Sequence, residues 1–279
     1  MTIRVLRVGA AATVQDLGRP GYADLAVATS GAADRGALRR ANRVVGNPDG
    51  AAGVEVLLGG LWFEALTRLR VAVTGAPLRI RVDGVEQTFG AALELAVGSQ
   101  VRLGTPATGL RSYLAVAGGL LARRQLGSSA TDVVRGLGPA PLRPGAELAV
   151  GPHTGPAGEP DRTDWNEPVE LRIAPGPRSD WFTADALETL GRAEWMVSPE
   201  SDRVGVRLAG PDLPRRITTE LPSEGMVRGS VQVPPGAGPV LFGADHPTTG
   251  GYPVIAVVAD RDTDLLGQLR PGRVLRLRW

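Results

Sequence analysis

No apolar run in this chain goes far before a glycine or a proline interrupts it. The 38 glycines and 23 prolines are scattered between short apolar segments and not gathered in a low-complexity tract. That is the punctuation of short strands joined by tight turns. Candidate strands fall at 3–8, 53–58, 69–73, 78–82, 100–103, 112–117, 147–150, 169–173, 204–208, 230–233, 239–242, 254–258 and 274–277, most of them near the usual length of about five or six residues. Helical periodicity is confined to three stretches. DRGALRRANRVVGNP (34–48) sets Leu38, Ala41 and Val45 on one stripe and stops at Gly46 and Asn47-Pro48; TADALETLGR (183–192) starts from Thr183 as a cap; DTDLLGQL (262–269) closes before Pro271 and Gly272. The expected fold class is mostly β, with a few short helices as packing elements.

Periodicity disappears over GPHTGPAGEPDRTDWNEP (151–168), which predicts an N-terminal subdomain over 1–152, a linker over 153–168 and a C-terminal subdomain over 169–279. A faint internal echo agrees: LAVGSQVRL (95–103) and PGAELAV (144–150) resemble PGRVLRLRW (271–279).

Residue types that are missing narrow the chemistry. Without cysteine there is no disulfide, thiolate metal site or cysteine nucleophile. All 31 basic residues are arginines, so no Schiff base, lysine general base, phosphate-loop lysine or biotin attachment site resides on this chain. The isoelectric point of about 9.6 reflects missing buffering groups, because the formal charge is only +2. The arginines are spread along the chain, often beside acids, and aromatics are sparse, so nucleic acid is not an expected partner. The start lacks a secretory apolar core and no run approaches the ~20 apolar residues of a membrane span, which leads to the expectation of a cytoplasmic protein without membrane contact.

Five stretches concentrate polar chemistry. TVQDLGRPGYADL (13–25) offers Gln15, Asp16 and Arg19 on a turning backbone; composition alone favours a plain turn with a local Asp–Arg pair over a site, followed by SGAADR (30–35), where Ser30 or Asp34 would cap a helix. In APGPRSDWF (174–182), Arg178 leaves a strand end, ready to fork a carboxylate or phosphate, or simply to close a turn beside core aromatics. SPESDRVGVRLAG (198–210) supplies Ser201, Asp202 and Arg203. A serine triad is not expected, because the two histidines are His153, in the predicted linker, and His246. TTELPSEGMVRGSVQVPPGAGP (218–239) brings Glu220, Glu224 and Gln232; the last alternates with Val231 and Val233 and is a ligand candidate if it points into a barrel. ADHPTTGGYPVI (244–255) juxtaposes Asp245, His246, Thr248, Thr249, Gly250, Gly251 and Tyr252. Its glycines fit either a positive-φ anion nest or a hairpin, and one histidine beside one carboxylate is short of a metal ligand set.

Taken in order, QDLGRPG (15–21), SGAADRGALRRANRVVGN (30–47), EVLLGG (55–60), YLAVAGG (113–119), LGSSATD (126–132), GPRSDWF (176–182), SDRVGVRL (201–208), SEGMVRGSVQVPP (223–235) and ADHPTTGGYP (244–253) resemble the family of C-type 5-oxoprolinase subunits. That family is also called KipA or allophanate hydrolase subunit 2, and is kin to the carboxyltransferase half of urea carboxylase. The resemblance implies two cyclophilin-like β-barrel subdomains, a B-type (KipI-like) partner chain together with an A-type one, and a small-molecule amide as substrate. It implies ATP-dependent hydrolysis of 5-oxoproline to glutamate, with the ATP site shared with or supplied by the partner chains. It also carries two alternatives: a carboxyltransferase acting with a separate biotin carrier on a urea-like amide, and a KipA-type regulator that neutralises a KipI-like kinase inhibitor. Carried onto this sequence, it makes Asp245 and Glu224 the candidates for proton transfer. Gln15, Asp16, Arg19, Arg178, Ser201, Arg203, Gln232, Thr248, Thr249, Gly250, Gly251 and Tyr252 become the candidate substrate-binding residues. The chain departs from the family pattern at Pro247, where members often carry glutamine, and at the preceding His246.

Overall fold

A computed structural model describes residues 1–152, 155–162 and 169–279. They group into two compact units: Met1–Arg19 with Ser30–Asn166, and Pro20–Thr29 with Glu167–Trp279. His153 and much of the expected linker lie outside the described residues. The described part, 155–162, lies along the first unit: the Gly158 N–H donates to the Val44 carbonyl (3.0 Å) and that of Asp161 to the Gly90 carbonyl (2.9 Å), while Arg40 Nε reaches Asp161 at 3.1 Å.

In the first unit two sheets share one core. The six-stranded sheet runs, in spatial order, through Glu147–Ala149, Thr2–Arg7, Trp62–Ala65, Gln100–Leu103, Ile80–Val82 and Val85–Gln87. The five-stranded sheet orders Ala11–Gln15, Gly53–Leu57, Arg111–Val116, Leu69–Gly75 and Leu93–Leu95. Ile3, Val5, Phe63 and Val101 from the first sheet meet Val14, Val54, Val56, Val71 and Leu114 from the second in a single cluster. Each such fully buried apolar side chain contributes about 1.5–3 kcal/mol.

The outer face of the five-stranded sheet is also covered. Helix α1 (Arg35–Val45) lays Leu38, Ala41 and Val45 against Ala72, Tyr113 and Ala115. The strand Arg111–Val116 is therefore buried on both faces, and its alternate residues serve two clusters. Both ends of α1 are set by the residues that the sequence offers for them. Asp34 accepts from the Ala37 N–H at 2.7 Å, and Gly46 takes the left-handed conformation at φ 83°.

The second unit closes into a seven-stranded barrel in the order Val169–Pro175, Val254–Val258, Ser230–Gln232, Val240–Phe242, Gly205–Ala209, Glu194–Val197 and Val274–Arg278. Closure comes from a parallel pairing of Val169–Arg172 with Leu275–Arg278, which leaves no free edge. Leu171, Trp195, Leu208, Val231, Leu241, Ile255 and Leu277 fill its core. Helix α2 (Ala184–Arg192) is capped by Thr183, whose hydroxyl accepts from the Ala186 N–H at 3.1 Å. The third expected helix is a 3-10 helix over Asp260–Gln268. The chain is thus mostly β with few helices, as expected; the barrel closes completely in the second unit, while the first holds its strands in two hydrogen-bonded sheets. Among the described residues no helix is long and apolar enough to cross a membrane.

Candidate functional site

In the first unit the polar residues of QDLGRPG turn inward. Gln15 is 0%, Asp16 8% and Arg19 1% exposed. Asp16 accepts from the Gly18 N–H (2.8 Å), the Ser128 hydroxyl (2.6 Å) and the Ser129 N–H (2.7 Å). Gln15 Nε2 donates to the Thr131 carbonyl at 2.9 Å, and Arg19 Nη2 donates to the Ala130 carbonyl. Asp132 stands 4.0 Å from Arg19 Nη1 and also pairs with Arg135 at 3.1 Å. Two motifs more than a hundred residues apart, QDLGRPG and LGSSATD, are therefore fastened to each other. Gly31 completes the fit: at φ +81° its ideal Cβ would lie 2.6 Å from the Gly18 nitrogen, so a side chain is barred on both counts. As placed, these three side chains shape the 128–132 loop.

Beside them lies a polar network that the sequence did not single out. The buried Tyr113 hydroxyl donates to Glu55 Oε2 (2.8 Å) and accepts from the Asp34 N–H (2.7 Å). Glu55 also accepts from the Ala33 N–H at 2.9 Å and pairs with Arg111 at 3.3 Å. Burial, reinforced by the Glu55 and Asp34 charges, pushes the Tyr113 phenol well above its ordinary value, so it remains a hydroxyl donor. Glu55 and Tyr113 sit within matched motifs, yet in the sequence they read as members of apolar strands.

In the second unit both candidate acids are held by arginines. Arg203 Nε lies 2.7 Å from Asp245 Oδ2 and Nη2 lies 3.2 Å from Oδ1. Arg178 Nε lies 3.0 Å from Glu224 Oε2, and its Nη2 engages Oε1. The hydrogen bond from Arg178 holds the Glu224 carboxyl below its usual range, against a smaller upward push from burial. Ser201 turns away from both pairs: its hydroxyl accepts from the Arg207 N–H at 3.0 Å and tightens the turn before Gly205–Ala209.

Thr249–Gly250 pairs with Glu224–Gly225 as a two-stranded ribbon, extended by a bond from the Met226 N–H to the Thr248 carbonyl (2.8 Å). Neither Gly250 nor Gly251 adopts positive φ, so the motif resolves as a ribbon and a positive-φ nest is absent there. Gly250 is required for another reason. A Cβ on it would come within 2.8 Å of Gln232 Nε2 and 3.2 Å of Met226 Sδ. Gln232 points away from the core that Val231 enters, yet it is only 5% exposed, because Met226 cooperates with Val240, Phe242 and Val254 to cover that face. Its Nε2 donates to the Tyr252 carbonyl at 2.8 Å. His246 is buried, with Nδ1 2.7 Å from the Pro247 carbonyl.

The ribbon ends at a cavity of about 500 Å³, lined by Arg215, Thr218, Thr219, Glu220, Leu221, Pro235, Gly251, Tyr252 and Pro253. This is the size of an ordinary small-molecule site. Arg215, Thr218 and Thr219 were not among the sequence candidates. The run of turn-forming and polar letters around them, LPRRITTELPSEG (213–225), is the only signal that they give. Among the described residues no group of three or more His, Asp or Glu side chains is placed to hold a metal ion.

A family model described as "Carboxyltransferase domain, subdomain A and B" matches residues 25–279. The chain belongs to this family. It is 36% identical to the C-type subunit of 5-oxoprolinase from Escherichia coli (strain K12), over 97% of its own length and 89% of that protein's. The carboxyltransferase domain also superimposes on the crystal structure of TTHA0988, with a TM-score of 0.91 and 35% identity over 100% of this chain and 55% of that one. On the crystal structure of the K. lactis urea amidolyase it gives a TM-score of 0.92 at 27% identity, over 99% of this chain and 18% of that one. The chain thus spans about half of the first of these solved proteins and under a fifth of the second. The two arginine–carboxylate pairs, the ribbon and the cavity all fall within the region that the family model matches.

Proposed function

We propose that this chain is the C-type subunit in an ATP-dependent 5-oxoprolinase, working in the cytoplasm with A-type and B-type partner chains to hydrolyse 5-oxoproline to glutamate. The observation that carries this reading is the 36% identity to the E. coli 5-oxoprolinase chain across 97% of this one. A lactam resists hydrolysis because its nitrogen lone pair is shared with the carbonyl. ATP would supply the activation of that carbonyl.

The residues present do not by themselves form a phosphate cradle, since the chain has no lysine and its TTGG motif lacks the positive-φ glycines of a nest. We therefore assign the nucleotide phosphates chiefly to groups on the partner chains. This chain would position the amide. The ribbon would present the backbone of Thr249–Gly251 and the hydroxyls of Thr248 and Thr249. Arg178 and Arg203 would fix Glu224 and Asp245 so that each carboxylate accepts a proton or an N–H at one defined place. Gln15, Asp16, Arg19 and Gln232 would act on the substrate only through the loops that they hold, and Ser201 through the turn before Arg203.

A second reading, the carboxyltransferase half of a biotin-dependent urea or amide carboxylase, draws on the family description and the superposition on the urea amidolyase. The experiment is to combine the chain with its A-type and B-type partners and to measure glutamate release from 5-oxoproline with ATP, in the absence of biotin. ATP-dependent release is the expected result. Turnover of a urea-like amide only when a biotin carrier is added would replace the first reading by the second. A stable complex with no turnover of any amide would favour a regulatory role.

A further inference from the structure

Arg215 differs from three other arginines of the second unit. Arg172, Arg178 and Arg203 are each matched to a carboxylate, those of Asp262, Glu224 and Asp245. Arg215 is half-buried, lines the cavity beside Tyr252, and has no carboxylate partner among the described residues. Its Nη2 donates to the Val233 carbonyl, which fixes the head group, and its remaining donors make no hydrogen bond to the described residues. Burial draws its pKa below the ordinary arginine value, and the neighbouring Tyr252 opposes that only in part. An arginine nevertheless stays charged. A positive charge carried into a concavity without its counter-ion is costly, and the cost is relieved when an anion enters.

The rest of the wall narrows the anion. The Glu220 carboxylate shares the cavity and would repel a polyphosphate, whereas it tolerates a singly charged ligand and accepts an N–H. Thr218 and Thr219 supply hydroxyls, while Leu221, Pro235 and Pro253 supply an apolar wall that suits a small saturated ring. The planar guanidinium matches a carboxylate at two points.

We propose that this cavity binds the carboxylate of a small cyclic amide acid, with Arg215 forking the carboxylate and Glu220 facing the ring N–H. The proposal deepens the oxoprolinase reading, on which it rests for the identity of the ligand.

The test is calorimetric titration of the full chain with L-5-oxoproline and with 2-pyrrolidinone, which has the same lactam ring but no carboxylate. Binding of 5-oxoproline at least about tenfold tighter is expected, given the strength of a charge-assisted pair. Arg215→Gln should erase that preference and Arg215→Lys should restore part of it. Equal affinity for the two lactams, no binding of 5-oxoproline, or an undiminished preference in Arg215→Gln would each overturn the proposal. The comparison of two ligands on the unaltered chain needs no variant, so a folding defect in Arg215→Gln leaves the test standing.

The assembled complex separates the two readings. Turnover that survives Arg215→Gln with an unchanged KM sinks the cavity assignment and leaves the oxoprolinase intact. A carboxylate preference in a chain whose complex shows no turnover supports the cavity while removing the oxoprolinase.

Discussion

Arg203 grips Asp245 at two points, Nε to Oδ2 at 2.7 Å and Nη2 to Oδ1 at 3.2 Å, and the backbone repeats the link, with the Asp245 N–H donating to the Arg203 carbonyl at 3.1 Å. The pair joins the turn before Gly205–Ala209 to the residues after Val240–Phe242, so it clamps two neighbouring strands of the barrel at one end. The Asp245 side chain is 2% exposed and that of Arg203 18%. Losing the acid would deprive a mostly enclosed guanidinium of its two-point carboxylate contact. Asp245→Asn should lower the unfolding free energy by about 2–3 kcal/mol, read from urea denaturation; a midpoint equal to wild type would show that the clamp is dispensable.

Adjacent glycines should differ sharply in their tolerance of a side chain. A Cβ at Gly250 would press on Gln232 Nε2 at 2.8 Å, whereas one at Gly251 finds nothing nearer than the Leu221 carbonyl at 3.5 Å. Gly250→Ala should cost about 1–3 kcal/mol through overpacking. Gly251→Ala should stay within about 0.5 kcal/mol of wild type. Thermal melts of the two variants side by side settle the comparison.

Asp16 satisfies three donors of its surroundings, two of them backbone amides. Asp16→Ala strands them, at a cost of about 2–4 kcal/mol. Amide hydrogen exchange at Ser129 should speed up markedly in this variant. Exchange as slow as in wild type would mean that the loop is held by other contacts.

Tyr113→Phe removes only an oxygen, yet it deprives the Asp34 N–H and Glu55 of a buried partner. The expected loss is about 1–3 kcal/mol, seen as a lower Tm.

Acid should weaken the tie between Arg178 and Glu224. Because the folded carboxyl titrates below its unfolded value, its contribution is fully present above the unfolded value of ~4.3 and disappears as pH falls through the folded one. The urea midpoint of Glu224→Gln should therefore lie below that of wild type at pH 7, and the two should converge in strong acid. Parallel curves from neutral to acid would count against the pairing.

Elements with a regular apolar period or a continuous apolar run were legible in the sequence: the alternating Gln100–Leu103 and the continuous Val254–Val258 fall on their expected bounds, and α1 lies between the Asp34 and Gly46 that were expected to bound it. Strands whose burial depends on tertiary context were not. Ala11–Gln15 is written in small and polar letters, and Trp62–Ala65 interrupts its pattern with Glu64. The two-residue partners of the ribbon carry no periodicity at all. The site shows the same division. Arg178, Arg203, Glu224 and Asp245 could be named from their motifs, but their pairing spans 46 and 42 residues and is a product of barrel closure. Gln15 and Arg19 are named as cavity-lining only through the family resemblance, and neither motif spelling nor spacing shows what they meet. In the structure they donate to the carbonyls of Thr131 and Ala130, partners more than a hundred residues away.

The fastening of QDLGRPG to LGSSATD has an evolutionary corollary. Neither segment offers its partner a generic surface: one supplies a carboxylate, an amide and a guanidinium, the other a hydroxyl, a backbone N–H and two carbonyls at matching positions. A chimaera that inherits residues before position 100 from one parent and the remainder from a distant one would join halves tuned to different counterparts. Exchanging both segments together should rescue such a hybrid, whereas exchanging either alone should not.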